Sequence, residues 1–462
     1  GSTPDRVVLG VGVEERATGE LQLSAGYSSI ERFLVNLSVR QRNFMGRGQE
    51  LRASVNYSTY SKSLELGFTE PYLFDRNIAI GFDIYRRDLN YFNFLGSERI
   101  TTYDQVTTGG QIRMGIPLTE RLQAAIRYGL NYDEISIDQI TNYTDPDGTG
   151  PLPAVCDPLK AGRYLCDTLG NRLSSTLGYS LVWDTLNNRL RPSSGERIVL
   201  GQDFAGLGGD VHYLRTKFTA AKYWNVLGGF IFSLSLEGGY IHSFDNGSPG
   251  NDPVRLTDRF FLGSPQIRGF DIRGIGPRVR RQSYLYDDVA QPAGTSPDQL
   301  ATNIRLNDDP AATADQAIGG RAYYLARAEL EIPLGASVRE LGLRPSIFVD
   351  VGALWNVRTP SLFDIDPNNP LTFNACLDPV TNVTTLRRVS CIGANNEVTT
   401  RLAAAPFRET FLGNSSSPRV SVGFGVNWNS PFGPFRIDIA HALLSREGDD
   451  TKLFTFNVGT AF

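Results

Sequence analysis

Arg268 and Arg273 stand in the stretch Gly263-Ser264-Pro265-Gln266-Ile267-Arg268-Gly269-Phe270-Asp271-Ile272-Arg273-Gly274-Ile275-Gly276-Pro277, among the apolar residues Ile267, Phe270, Ile272 and Ile275. The glycines between them allow sharp backbone turns. A solvated tail has no use for those aliphatic and aromatic side chains. A guanidinium drawn into such company does no acid–base work; it needs carboxylate partners. The stretch lies in the longest connection without a strand or helix pattern, from about Phe244 to Gly320. A connection of that length is uncommon unless it is functional or disordered. It is expected to fold back into something hollow, which the rest of the chain must supply.

Little other chemistry is on offer. His212, His242 and His441 are solitary and far apart, so no metal site is expected, and no cofactor. No P-loop, H-E-x-x-H, nucleophile elbow or dinucleotide fingerprint occurs, so the chain is not expected to be an enzyme. Asp145-Pro146-Asp147-Gly148 resembles part of a calcium loop but lacks the downstream ligands, and reads as a turn. Arg278, Arg280 and Arg281 could meet lipopolysaccharide phosphates or nucleic acid, but read first as loop charges facing carboxylates in the hollow. With a net charge of −4 and a pI near 5.6, general nucleic-acid affinity is not indicated. Cys156 with Cys166 and Cys376 with Cys391 form two close pairs in polar connections, without zinc spacing. They read as two loop disulfides in an oxidising compartment.

The elements that must position these residues are strands. Leu21, Leu23, Ala25 and Tyr27 alternate with Gln22, Ser24 and Gly26; Phe232, Leu234, Leu236 and Tyr240 alternate with Ser233, Ser235, Glu237 and Gly239. Period two marks strands with one apolar face, and no helical period is convincing. No run of about 18 apolar residues exists, so no transmembrane helix is expected. Strands are placed at 19–28, 32–42, 48–60, 63–70, 77–88, 101–116, 120–136, 172–185, 194–206, 210–224, 228–243, 320–333, 341–356, 417–430, 433–445 and 452–462. An even number near sixteen suits a closed antiparallel barrel.

Connection lengths give a second signal. Tight joins (Asn43–Gly48, Tyr72–Arg76, Leu118–Glu120, Asn225–Leu227, Ser430–Phe432) follow even-numbered strands, and the long joins 137–171, 244–319 and 357–416 follow odd ones. All long loops then fall on one rim, which is the outer-membrane pattern, with short turns periplasmic and long loops extracellular. The polar face holds too many Gly, Ser, Asn, Glu and Arg for a packed core. It suits a wet lumen, with the apolar face against hydrocarbon. The expected fold is therefore all-β: a transmembrane antiparallel β-barrel of about sixteen strands, with a long extracellular loop folded into the lumen.

Several segments then resemble one family in combination. They are Gln266-Ile267-Arg268-Gly269-Phe270 with Gly274-Ile275-Gly276-Pro277; Gly319-Gly320-Arg321 with Ala328-Glu329-Leu330-Glu331-Ile332-Pro333; Ile347 to Trp355; Ser430-Pro431-Phe432-Gly433-Pro434; and Phe454 to Phe462. Essentially everything after Thr18 is similar to the membrane domain of the BamA family of outer-membrane β-barrel assembly factors. Relatives in that superfamily are TamA, the two-partner-secretion transporters and organellar import barrels. Val13-Glu14-Glu15-Arg16-Ala17-Thr18-Gly19 looks like the last strand of a POTRA module. Residues 1–18 are accordingly expected to be an expression scar (Gly1-Ser2) plus a POTRA remnant, with 19–462 the barrel and the POTRA modules themselves absent.

The resemblance implies a loop latch of Ile267, Arg268, Gly269 and Phe270, with Arg268 entering the lumen toward Glu329 and Asp350. Period two agrees, since Ser346, Phe348 and Asp350 share one face and Ile347, Val349 and Val351 the other. Arg268 would pin the loop as a plug; a gating role would add to that. The resemblance also implies a lateral seam between the first strand (Leu21, Leu23, Ala25, Tyr27) and the last (Phe454, Phe456, Val458, Phe462). Clients would be inserted there without nucleotide hydrolysis. Implied partners are outer-membrane lipids and lipopolysaccharide, unfolded outer-membrane proteins, and BAM lipoproteins held mainly by the POTRA modules; nucleic acid is not among them. The alternatives are a TamA-like or two-partner-secretion transporter and, from another class, a passive porin. In each case the location is a Gram-negative outer membrane.

Overall fold

The computed structural model describes residues 12, 17–28, 32–95, 98–144, 155–189, 191–247, 250–287, 302–334, 342–368, 372–378, 383–387, 397–403, 406–430 and 433–458. Sixteen strands form the barrel wall. They are β1 (Gly19–Ser28), β2 (Arg32–Phe44), β3 (Gln49–Ser58), β4 (Ser61–Glu70), β5 (Ala79–Leu95), β6 (Glu98–Pro117), β7 (Leu122–Ser136) and β8 (Gly170–Asp184). The second half comprises β9 (Gly195–Gly209), β10 (Tyr213–Asn225), β11 (Ile231–Ser243), β12 (Ala322–Glu331), β13 (Leu343–Trp355), β14 (Arg419–Ser430), β15 (Gly433–Leu444) and β16 (Phe454–Val458). Each pairs antiparallel with its chain neighbour, and β16 returns to β1.

Alternation decides which side of each strand meets which solvent. Leu51 and Val55, Phe82 and Ile84, Ile347 and Val349, and Ile437 and Ile439 are exposed on the outer face. Polar partners occupy the inner face. Asp83, fully buried there, accepts from Arg52 (3.0 Å), Arg113 (3.1 Å) and Gln111 (3.1 Å), while Arg127 bonds Asp203 across β7 to β9 (3.1 Å). In hydrocarbon every backbone polar group must be bonded internally, and a ring of strands does that where an open sheet cannot.

Short joins fold by local side-chain bonds. In the β6–β7 turn the Leu122 amide donates to Thr119 Oγ1 (3.0 Å) and the Leu118 amide to the Leu122 carbonyl (2.9 Å). A hydroxyl closing a turn on its own backbone is a recurrent device.

The long-loop rim departs most from expectation. The connection read as unpatterned holds strands Arg278–Asp287, Thr302–Leu306 and Thr313–Ala317. Arg278–Asp287 pairs with Thr313–Ala317 and also with Phe407–Leu412 from the 356–418 connection. Neither partner is near in sequence, so no local signal marks them. β5 runs to Leu95 rather than stopping near 88, because Phe94 and Leu95 find an extra partner in Asp315 and Ala314. The 137–169 connection carries short helices closed by the Cys156–Cys166 disulfide. The Cys376–Cys391 pair lies outside the described residues.

Two buried apolar clusters follow. One joins the loop residues Leu262, Ile267, Phe270 and Ile275 to Tyr323, Leu325 and Leu354 of the wall. The other, on the long-loop rim, gathers Tyr103, Ile135, Ile137, Leu165, Leu256, Val279, Ile318 and Val357. The core of this molecule thus sits inside and above the barrel, where the connections meet.

Candidate functional site

The tip Gly263–Pro277 enters the lumen as a narrow returning loop, with bridges Phe260–Gly320 and Leu262–Ile275 at its base. Ile267 and Phe270 are fully buried, and burying each contributes about 1.5–3 kcal/mol. Gly269 adopts φ +84 with its α-carbon against the wall, where an added Cβ would lie 3.0 Å from Ser421 Cβ. At Gly274 an added Cβ would come 2.5 Å from the Asp450 carbonyl oxygen. Both close approaches require the absence of a side chain.

Arg268 is 4% exposed. Its Nε donates to Asp350 Oδ2 (2.7 Å), Nη2 to Asp350 Oδ1 (2.6 Å) and Nη1 to Glu329 Oε2 (2.8 Å). Its own amide donates to Asp350 Oδ2 (3.0 Å). The guanidinium also lies over the Phe348 ring, 3.3 Å from the centroid. A bidentate fork stacked on an aromatic face is a geometry lysine cannot reproduce. Asp350 is fully buried and β12 pairs Glu329 with Phe348, so both carboxylates stand on the inner face beside the loop.

The network goes on past the residues expected from sequence. Ser346 Oγ donates to Glu329 Oε1 (2.6 Å), and Arg436 lies 3.7 Å from the same oxygen. Arg436 then bonds Asp438 through Nε (2.9 Å) and Nη2 (3.1 Å). Charges therefore run from the loop across β12 to β15. Arg436 and Asp438 share the polar face of a strand by period two, and that was their only sequence signal.

The tip also meets the connection between β15 and β16. The Asp271 amide donates to the Asp450 carbonyl (2.9 Å), the Asp450 amide to Gly274 (2.8 Å) and the Lys452 amide to Gly269 (3.1 Å). Phe270 bridges Thr451, and Lys452 Nζ is 3.3 Å from Asp271 Oδ1. Arg278 bonds the Gly448 carbonyl, Asp450 Oδ2 (2.5 Å) and the Arg273 carbonyl (2.9 Å). Arg419, at the start of β14, bonds Asp449 (3.0 and 3.3 Å) and the carbonyls of Gly413, Ser415 and Ser417. Both side chains of that ion pair are fully buried.

Arg280 faces Asp315 (3.3 Å) and Arg281 faces Glu409 (2.6 Å). The basic cluster is thus spent on carboxylates of the connections rather than on the barrel wall. Burial pushes the Asp315 carboxyl above its ordinary range, while Arg278 and Arg280 act to lower it. Among the described residues no group of three or more His, Cys, Asp or Glu is placed to hold a metal ion. His212 pairs with Asp245 (3.3 Å) and His242 stands edge-on to Phe244. Asp145–Gly148 lies outside the described residues.

At the seam, Tyr27 pairs with Val458 and Ser28 with Asn457. In the register these pairs set, the β1 residues before Tyr27 face positions after Val458, which lie outside the described residues. Leu21 and Leu23 are 74% and 71% exposed, and Ala25, Tyr27 and Phe454 are also exposed. Phe456 is half-buried. Phe462 and the Val458 side chain lie outside the described residues.

With this geometry in view, comparison with known proteins is informative. Residues 43–462 match the Omp85 superfamily domain. The outer membrane protein assembly factor BamA of Neorickettsia risticii (strain Illinois) is 27% identical over 457 residues, covering 99% of this chain and 47% of that protein. Its namesake from Neisseria meningitidis serogroup B is 24% identical over 474 residues, with 100% and 49% covered. The chain therefore spans about half the length of these curated relatives. The crystal structure of BamA from Haemophilus ducreyi lacking POTRA domains 1-3 shares the fold, with a TM-score of 0.64 at 19% identity, over 97% of this chain and 71% of that one.

Proposed function

The chain belongs to the Omp85 superfamily, its barrel is integral to an outer membrane, and on that premise we propose that it is an insertase which assembles β-barrel proteins through the β1–β16 seam. The observation that carries the proposal is the seam. The barrel closes where Tyr27 and Ser28 of β1 meet Val458 and Asn457 of β16. A strand edge with unpaired amides and carbonyls is a template for another strand. An incoming client strand adds to the edge of β1 by β-augmentation, gaining ladder hydrogen bonds there. Client folding is itself favourable, so no nucleotide is consumed.

The proposal extends to the surroundings. The short-turn rim faces the periplasm, residues 1–18 read as a tag followed by the remnant of a last POTRA strand, and lipoprotein partners are held mainly by POTRA modules. Clients are unfolded outer-membrane proteins, and the outer face meets lipid and lipopolysaccharide. Arg268 acts as the pin of a plug.

Closing the seam covalently tests this. Cα partners in antiparallel strands lie about 4.5–5.5 Å apart, within disulfide range, so Tyr27→Cys with Val458→Cys is the register-matched pair. The oxidised protein in liposomes is expected to fold a urea-denatured client no faster than empty liposomes, with activity restored by reductant. Wild-type activity with the bond formed would sink the proposal.

A passive porin predicts something else in planar bilayers. The lumen here holds a loop tip with Ile267, Arg268 and Phe270 buried. Small, erratic conductance is therefore expected, and steady large pores would contradict the insertase reading.

A further inference from the structure

A polar cavity lies on the long-loop rim, and none of the loop-tip residues 263–277 lines it. Its volume is about 250 Å³, and its walls come from the end of the 137–169 connection, the start of β8, the β9–β10 join and the segments that follow β11 and β13. That is just under the roughly 300–1,000 Å³ of ordinary small-molecule sites, so it suits one small ring.

Three arginines line the cavity, and each spends a nitrogen on a backbone carbonyl. Arg172 Nη2 donates to Asp167 (3.3 Å), Arg255 Nη2 to Asp210 (3.1 Å) and Arg358 Nη1 to Asn246 (2.9 Å). None of the three has a carboxylate within ion-pair distance among the described residues. A guanidinium carries five N–H donors, so most of theirs are left over. Other arginines of this rim differ: Arg259 and Arg321 face Asp252 (4.0 and 3.7 Å), and Arg281 faces Glu409. Burial, and after it the positive charge of Arg172, pushes the Arg255 guanidinium below its ordinary range, against the pull of Asp258, Asp133 and Asp210. An anion seated on Arg172 and Arg255 offsets that repulsion.

The same cavity offers acceptors. Asp210 takes the Leu173 amide on Oδ2 (2.9 Å), while its Oδ1 has no hydrogen bond among the described residues. Asp245 pairs with His212 through Oδ1 (3.3 Å), and the Asn251 side chain has no hydrogen bond among the described residues. Carboxylates repel a second negative charge but accept readily from hydroxyls. A bare polyanion is therefore a poor fit. A neutral sugar is another, because it leaves the arginines without a counter-charge.

We propose that this cavity binds one acidic saccharide unit, with its carboxylate or phosphate on Arg172 and Arg255 and its hydroxyls donating to Asp210, Asp245 and Asn251. Val254 and Leu256 also line the cavity and give apolar area for the carbon face of the ring. On the orientation given above, the site opens on the side where outer-leaflet glycans are met. It is independent of lateral insertion.

Calorimetric titration of the whole protein in detergent with glucuronate, glucose 6-phosphate, glucose and inorganic phosphate tests the chemistry. At least one acidic sugar is expected to bind ~10-fold or more tighter than glucose and than phosphate, since a hydrogen bond to a charged group is worth about that factor. Arg255→Gln is expected to erase the advantage while leaving heat-modifiable gel mobility unchanged, and Arg172→Gln serves if that variant does not fold. Glucose binding as well as the acidic sugars overturns the proposal. So does phosphate binding as well as they do, an advantage that survives both substitutions, or no binding of any probe. Repeating the titration in nanodiscs with and without lipopolysaccharide separates the sources of such a unit. Competition by lipopolysaccharide assigns the site to a lipid-anchored glycan, and an unchanged affinity assigns it to a free one.

Discussion

Arg268→Ala is expected to destabilise the folded barrel by about 3–5 kcal/mol, the range for removing one partner of a buried ion pair. Asp350 is the reason. It is fully buried, both of its oxygens accept from Arg268, and no other cation lies within ion-pair distance of it among the described residues. Glu329 is less dependent, because Ser346 and Arg436 remain to it. The unfolding midpoint in urea, followed by heat-modifiable gel mobility, measures the loss. Asp350→Ala with Arg268→Ala should cost less than the two single changes added, since the second removes a charge that the first has already orphaned. Arg268→Lys should recover only part, because an ammonium cannot span Asp350 and Glu329 as a planar fork does. A shift below about 1 kcal/mol for Arg268→Ala, the range of an exposed pair, would show that the site is wet enough to dispense with the pair.

Arg419→Ala should be of the same order, about 3–5 kcal/mol, with a different signature. Its guanidinium and Asp449 are both fully buried, and it also serves the carbonyls of Gly413, Ser415 and Ser417. Losing it leaves one carboxylate and three carbonyls to find water at the junction of two connections. The expected result is faster protease nicking within 406–418 and 445–453 together with a lower unfolding midpoint. The Arg268 contacts, made by other residues, should persist. Unaltered nicking with an unaltered midpoint would mean that solvent replaces the arginine without cost.

Period two made the wall legible, and the parity of long and short joins separated the two rims. The same alternation put Ser346, Phe348 and Asp350 on one face, and the resemblance supplied Arg268 and Glu329 to go with them. Sequence stopped where contacts became non-local without a repeat. Arg278 and Asp450 are 172 residues apart, and Arg281 and Glu409 are 128 apart. Nothing in the neighbourhood of either arginine names its carboxylate. Arg436 and Asp438 were visible as polar residues of β15, but with an even spread of lumen charges no rule singles them out. The strand Arg278–Asp287 failed as a local signal for another reason: it is held by two partners on the rim, and pairing rather than propensity makes it a strand.

One consequence follows from the alternation of Asp350 with Val349 and Val351. A strand displaced by a single residue turns every side chain to the opposite face. Were β13 to assemble one residue out of step with β12, Asp350 would point into hydrocarbon and a valine would meet the guanidinium. The same holds for Glu329 on β12. Arg268 finds both carboxylates only when two neighbouring strands are aligned correctly, and Arg436 extends the requirement to β15. A wall out of register by one residue would therefore deny the arginine its carboxylates, so the seating of the loop tip depends on the alignment of these strands.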